Sequence, residues 1–181
     1  TLRAMQMLAE YYLTASRFDE AEPLMTSLVE LHERALGPSD PATLDAISTR
    51  ARHLQAIGKL AEAEALLRRG ATTSRDQHGD LHSGTLTMHH SLASLLHDSG
   101  KLDEAQSTLS FVLEGQTRTL GESHPWTLGT INLMGLVLID SKNFKKAEDM
   151  LLPCLEDHRR VLGEEHWRTV DVLSNLAVAR A

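Results

Sequence analysis

The sequence predicts an all-α protein, an α-solenoid of tandem helix-turn-helix units with a right-handed superhelical twist. Three observations predict this class. Apolar residues fall at helical spacing, aromatic residues are only 4% of the chain against 41% apolar, and a glycine followed six residues later by a threonine recurs every 42 residues. A fixed period of this length indicates stacked units that bury their apolar faces against one another. The recurring pairs are Gly37 with Thr43, Gly79 with Thr85, Gly121 with Thr127 and Gly163 with Thr169.

Each period contains two apolar stripes of helical spacing. The first half repeats apolar or small residues at offsets 0, 3, 7 and 10 from Leu44, Leu86 and Leu128, apart from His89, and the second half does so at offsets 0, 3, 7, 10 and 11 from Phe18. Every repeat is therefore predicted to be a helix pair. The predicted helices cover residues 2–15, 18–36, 43–57, 60–77, 85–99, 102–119, 127–141, 144–161 and 169–181.

Turn residues mark the ends of these helices. The recurring glycines end each second helix, and Pro41 or Pro125 introduces the next first helix. Within the pairs, Gly58 and Gly100 suit a left-handed turn position, and in the repeat that follows them we expect the asparagine of Lys142-Asn143 to adopt it. Histidines recur at the period just before the threonines, and we expect them to cap helices; they are His82, His124 and His166.

One helix has a predicted weakness. Gly70 and Ala71 stand in the second copy where the other copies have larger residues, and a glycine inside a helix costs about 1 kcal/mol relative to alanine. We therefore expect faster hydrogen exchange over residues 66–84 than over 102–120.

Composition limits the classes of partner and the compartment. The net charge is −7 and the sequence has no basic patch, so nucleic acid is not expected as a partner. Cys154 is the single cysteine, which excludes an intrachain disulfide and favours the cytoplasm. The longest uncharged apolar stretch, residues 131–139, is far too short to span a bilayer, so no membrane is expected either.

The repeated pattern resembles the tetratricopeptide repeat. The 42-residue period and the linkers Leu120-Gly121-Glu122-Ser123-His124-Pro125 and Leu162-Gly163-Glu164-Glu165-His166 are similar to the long-period, kinesin-light-chain-like subclass. The resemblance covers one array with repeats at about 1–42, 43–84, 85–126 and 127–168 and a partial fifth at 169–181. Because the chain begins and ends in phase with its own repeat, we expect it to be a fragment of a longer protein.

The resemblance implies that the first helix of each pair lines a concave groove that binds a peptide or a helix. At its groove-facing positions, Asn132 and Asn175 are expected to bond a ligand backbone, because an amide both donates and accepts. Capping of a local carbonyl or binding of water is an equally weighted alternative for them. The predicted peptide-binding residues are Gln6, Glu10, Arg52, His90, Asn132, Leu133, Leu136, Ile139, Asp140, Asp171 and Asn175.

The chemistry of this wall suggests the type of ligand. The carboxylate clamp of some family members needs Lys and Asn where Gln6 and Glu10 stand, so it is not expected. Leu133, Leu136 and Ile139 form a predicted apolar pocket, and acidic walls flank it at Asp98, Asp140 and Asp171. We therefore expect a protein or peptide ligand with an apolar anchor and basic flanks.

No catalytic constellation is expected, and neither is a cofactor or a metal. The spacing of His90 and His97 is too long for one tetrahedral zinc, and Cys154 falls on a buried stripe. Trp126 and Trp167 stand in linkers, where packing over helix ends is favoured over a role as interaction anchors. The sequence thus indicates a non-catalytic interaction module. Two alternatives are a regulatory or substrate-recruiting region of a larger signalling enzyme, with a kinase or nucleotide switch, and an oligomerisation scaffold.

Overall fold

The computed structural model describes residues 2–15 and 17–181, apart from the side chains of Leu2, Arg3 and Glu10. This part of the chain contains nine α-helices and no strand. The helices are α1 (Leu2–Thr14), α2 (Phe18–Leu36), α3 (Pro41–Ala56), α4 (Leu60–His78), α5 (Ser83–Asp98), α6 (Leu102–Leu120), α7 (Pro125–Asp140), α8 (Phe144–Leu162) and α9 (Trp167–Arg180). The predicted all-α fold class and the helix pairs are confirmed.

The first helices of the later repeats begin two residues before their predicted starts, because a side chain caps each of them. Asp40 accepts a hydrogen bond from the N–H of Ala42 at 2.9 Å. The imidazoles of His124 and His166 accept in the same way from the residue two positions on, at 3.2 Å in both cases. His82 accepts from the N–H of Gly84 at 3.2 Å. The expected capping role of the three periodic histidines is confirmed.

The recurring glycine and threonine act together at each junction between repeats. The buried hydroxyl of Thr43 donates to the carbonyl of Gly37 at 2.7 Å, and the three later pairs repeat this bond at 2.8 to 2.9 Å. The bond closes the turn between a second helix and the next first helix, and it satisfies a carbonyl at a helix end. It explains why both residue types return at a fixed separation.

The left-handed turn of the fourth repeat, at Lys142-Asn143, differs from its prediction. Lys142 has a φ of +61°, like Gly58 at +79° and Gly100 at +73°, whereas Asn143 has a φ of −89°. The period places Lys142 in register with the two glycines, so the turn geometry of the repeat, rather than the preference of asparagine, decides which residue adopts the left-handed conformation. The expectation that Asn143 would do so is wrong.

The chain divides into two compact units, Thr1–Leu95 and Leu96–Ala181, with the division inside α5. In the first unit α1 packs against α2, α2 against α3 and α3 against α4. In the second unit α6 packs against α7, α8 packs against both α7 and α9, and α7 also contacts α9. Each unit has its own core of leucine, alanine and methionine side chains.

The predicted weak point in α4 is packed. Gly70 and Ala71 are buried, and a Cβ built on Gly70 would lie 2.9 Å from the sulfur of Met88 and 3.4 Å from a methyl of Ile47. The methionine of α5 therefore occupies the space that the glycine leaves. Faster exchange over residues 66–84 stays a prediction, supported now by the helix propensity of glycine alone.

Across the described residues, no helix combines the length and the apolar character that a membrane span requires.

Candidate functional site

Three predicted site residues meet where α7 contacts α9. Asn175 donates from Nδ2 to Oδ1 of Asn132 at 2.9 Å, and Asn132 donates from Nδ2 to Oδ2 of Asp171 at 2.6 Å. An ionised carboxylate only accepts, so this network fixes which end of the Asn132 amide is the donor. The chain of bonds links the first helices of two consecutive repeats and holds their polar groups in one orientation.

A second polar contact joins the ends of α5 and α7. The Nε2 atom of His97 lies 2.8 Å from Oδ2 of Asp140, and its Nδ1 atom lies 3.1 Å from Oδ1 of Asp98. Both contacts are hydrogen bonds when both ring nitrogens carry a proton. The two carboxylates stay about half exposed while the His97 side chain is largely buried. Two residues of the predicted acidic wall are thus positioned by a histidine that was not among the predicted site residues.

The apolar part of this face is smaller than predicted. Leu133 and Leu136 are partly exposed on α7 and are available to a ligand. Ile139 is 7% exposed and belongs to the core, so its assignment to the groove surface is corrected. Ile139 lies on the buried side of α7, one turn after the buried Gly135.

The other predicted site residues lie in the first unit. Gln6 is exposed on α1 and lines a cavity together with Asp45 and Thr49 of α3. Arg52 is exposed, and its Nη2 atom is 3.5 Å from Oγ1 of Thr49. His90 is partly buried, and burial lowers the pKa of its imidazole. The side chain of Glu10 lies outside the described residues.

The neighbours of a first-helix residue follow a simple rule of register. Asn132 contacts the residues 39 and 43 positions later, and His97 contacts the residue 43 positions later. These separations are the 42-residue period minus three and plus one, which are neighbouring positions on a helix surface. The same rule relates Gln6 to Asp45 and Thr49, which line one cavity with it. These separations can be read from the sequence, and they would have identified the contact between His97 and Asp140.

The linker tryptophans do not cover the core as favoured. Trp126 is 52% exposed, with His124 at its edge, and Trp167 is 67% exposed, stacked on His166. The guanidinium of Arg168 lies 5.1 Å from the centroid of the Trp167 ring. Both rings are therefore exposed at the surface, where each contacts the histidine that caps its helix.

The thiol and the histidines fit structural roles. Cys154 is buried, and burial raises the pKa of its thiol to about 12, which keeps the thiol protonated and unreactive. His158 is buried beside it and its Nδ1 atom lies 2.9 Å from the carbonyl of Cys154. Among the residues whose side chains are described, no three histidines, cysteines or acids are grouped as metal ligands.

Paired helices repeated at a fixed period, with polar side chains along the first helices, define the class of helical-repeat proteins. The family model of the tetratricopeptide repeat matches residues 1–76 and 84–152, and the chain belongs to this family. Members of the family are in general protein-interaction modules without catalytic activity. A comparison with curated proteins gives no match.

Solved structures support the subclass. The chain is similar to a protein from Podosopora anserina described as a kinesin light chain with nearly identical TPR-like repeats, with 25% identity and a TM-score of 0.82 over 98% of this chain and 84% of that one. BtubC (BKLC) from P. vanneervenii shares the fold at 18% identity, with a TM-score of 0.82 over 97% of this chain and 70% of that one. The resemblance to the kinesin-light-chain-like subclass is confirmed.

Proposed function

We propose that this chain is a non-catalytic module that binds a peptide or helical segment on its first-helix face, with an apolar anchor and basic flanks in the ligand. The observation that carries the proposal is the hydrogen-bonded chain of Asn175, Asn132 and Asp171 beside two partly exposed leucines. Asn132 is partly exposed, and its amide has two donors and two acceptor lone pairs, so it retains capacity for the backbone of a ligand. Asn175 is only 9% exposed, so its predicted contact with the ligand is corrected: it orients the amide of Asn132 instead.

The leucines and the acids would contribute differently to binding. Burial of an apolar anchor on Leu133 and Leu136 supplies affinity, at about 25 cal/mol per Å² before the costs of association. The exposed carboxylates of Asp98, Asp140 and Asp171 attract and orient basic residues of the ligand, an effect that weakens as salt rises. The cytoplasm is the proposed compartment for this interaction.

The test is a double variant, Asn132→Ala with Leu136→Glu, in a quantitative pull-down from lysate. We expect the variant to lose the partners that the parent chain captures and to keep its helical circular dichroism. Leu152→Glu is the matched control, because Leu152 is 40% exposed on a second helix. If the double variant keeps the same partners, or if Leu152→Glu loses them, the proposed face is wrong.

One observation favours a second candidate, an oligomerisation scaffold. The outer side of α9 exposes Val170, Leu173 and Val178 at 46% to 53%. Sedimentation of the parent chain and of Leu173→Glu decides this candidate, since it requires a parent oligomer that the variant dissociates. The role of a regulatory region within a signalling enzyme stays a prediction.

A further inference from the structure

Helix α9 exposes a stripe of three apolar residues that α3 buries in the same register. Val170 and Leu173 are 49% and 46% exposed, and Ala177, one turn further on, is exposed too. Their spacing puts them on one face of the helix, and we call them the α9 stripe. Their register mates in α3 are only 1% to 3% exposed: Leu44, Ile47 and Ala51. The same face of the repeat is therefore covered in one place and open in the other.

Second helices cover this face where it is buried. Helix α4 packs against α3, and α8 packs against α7. In α7 the contact is direct, because a Cβ built on Gly135 would lie 2.5 Å from a methyl of Leu151. The thiol of Cys154 also lies 3.6 Å from the carbonyl oxygen of Leu128. Both contacted positions of α7 are in register with the α9 stripe, so the chain itself shows which kind of element covers it.

The covering helices share one sequence pattern. It begins with leucine or phenylalanine, has alanine three positions later and has leucine or methionine at the seventh position. The alanines are completely buried in all four helices, at Ala21, Ala63, Ala105 and Ala147. Because α3 and α9 both present two aliphatic residues followed by alanine, the template for a helix that fits α9 is α4, with its inner residues Leu60, Ala63 and Leu67.

The end of the α9 stripe carries a positive charge. Arg180 stands where α3 and α7 have the buried Leu54 and Leu138. Its side chain is 49% exposed and its Nε–H donates to Glu148 at 2.8 Å, so the other N–H groups remain for a second acid. A second helix begins beside the end of the first, and α2, α4 and α6 have acids in their first turns, where the helix dipole favours them. The α9 stripe therefore suits a helix whose first turn is acidic.

A second copy of the chain is a poor source of such a helix. In the part of the chain that the structure describes, each second helix already packs against a first helix of its own chain. We propose that the α9 stripe docks an amphipathic helix of a partner protein, with Leu-x-x-Ala-x-x-x-Leu on its inner face and an acid in its first turn. The inference goes beyond the proposed function, because the stripe lies on a different side of α9 from Asp171, which bonds Asn132.

The experiment is an amide NMR titration of the parent chain with a peptide of residues 60–78, held helical by a side-chain lactam on its outer face. We expect saturable shifts at the α9 stripe. Leu173→Glu in the chain should weaken binding at least tenfold, because it places a charge in an apolar contact. Leu152→Glu is the matched control, since Leu152 is 40% exposed on α8, and it should bind as the parent does.

Two variants of the peptide test the pattern. Ala63→Leu should bind at least tenfold more weakly, because leucine prevents the close approach although it keeps helix propensity. Glu62→Gln should bind a few-fold more weakly to the parent chain, and Arg180→Gln in the chain should remove that difference.

The proposal is overturned if the peptide causes no saturable shift on α9, or if Leu173→Glu or the Ala63→Leu peptide binds as tightly as the unchanged pair. It is also overturned if sedimentation shows that the parent chain self-associates through the α9 stripe, because a second copy then covers it. The double variant Asn132→Ala with Leu136→Glu should bind the peptide as the parent does, so failure of the proposed function is distinguishable from failure here.

Discussion

The two units place matching residues around the same position of the repeat, yet one leaves it open and the other fills it. In the first unit Gln6, Asp45 and Thr49 surround the mouth of a cavity. Three periods later, Asn132, Asp171 and Asn175 occupy the same register, and hydrogen bonds join them. A single repeat pattern therefore gives an open pocket at one end of the sequence and a bonded polar face at the other.

Two packing positions differ between these sites. Val172 is completely buried where the first unit has Ala46. Gly135 stands where the first unit has Ala9, and a Cβ built there would lie 2.5 Å from a methyl of Leu151. Leu151 thus packs directly onto the backbone of α7. The helix pattern is the same in both units, so the two sites differ in their side chains and not in their backbone pattern.

The largest expected effect comes from opening the filled site. Val172→Ala reproduces the first unit in the second, and removing two buried methyl groups should cost about 2 to 3 kcal/mol of unfolding free energy. Urea denaturation measures this. Val170→Ala on the same helix is the control, because Val170 is 49% exposed, and it should change stability by less than about 0.5 kcal/mol. Equal losses for the two variants would show that Val172 is not what fills the site.

Overpacking the same site gives the next effect. Gly135→Ala places a methyl against Leu151, and the strain should outweigh the gain in helix propensity, for a net loss of about 2 kcal/mol. Gly129→Ala is a matched control in α7, since nothing lies within 4 Å of its added Cβ, and it should gain up to about 1 kcal/mol. Thermal or urea melts of both variants are sufficient. A stabilised Gly135→Ala protein would contradict close packing of Leu151.

Much of the fold could be predicted because the period repeats local signals. Helix stripes, the glycine ends and the capping histidines are all short-range features, and each of them is confirmed. Packing between elements was harder to predict. The sequence predicted a packing defect at Gly70. Met88, which fills this space, lies on the next helix, and its large size is informative only when the two positions are compared together.

The candidate site was predicted in part for the same reason. Residue type identified Asn132, Asp171 and Asn175, and helical register placed them on one face. The sequence did not show that they bond one another, nor that Ile139 turns into the core, because both depend on side-chain direction. The cavity beside Ala46 was not predicted, because an empty space depends on the side chains of three helices together.

His53 allows a test of the first unit alone. It is 2% exposed, its ring nitrogens have no hydrogen-bond partner among the described residues, and its register mates are the buried Leu95 and Val137. A buried polar group without a partner costs about 1 to 3 kcal/mol. His53→Leu should therefore raise the unfolding free energy by about 1 to 2 kcal/mol in urea melts.

The stability of His53→Leu should also depend less on pH than the stability of the parent chain. Burial lowers the pKa of His53 in the folded protein below its ordinary value of 6.5. As the pH falls below that value, the unfolded chain takes up a proton that the folded chain does not, so stability decreases. His53→Leu should make the loss of stability between pH 7 and pH 5 smaller. An unchanged pH profile would show that His53 already has a partner in solution.

The smallest effect concerns the left-handed turn inside the repeats, which has Gly58 in the first unit but Gly100 and Lys142 in the second. A φ of +61° costs Lys142 about 1 to 2 kcal/mol in the folded protein. A glycine there would avoid this cost, but it would also make the unfolded chain more flexible, which offsets part of the gain. Lys142→Gly should therefore gain about 0.5 kcal/mol, and Gly58→Lys should lose about 1 kcal/mol. Asn143→Gly is the control, since its φ of −89° suits any residue and the change should only destabilise. Urea melts of the three variants compare the two turns directly. A stabilising Asn143→Gly together with a neutral Lys142→Gly would show that Asn143, and not Lys142, adopts the left-handed conformation.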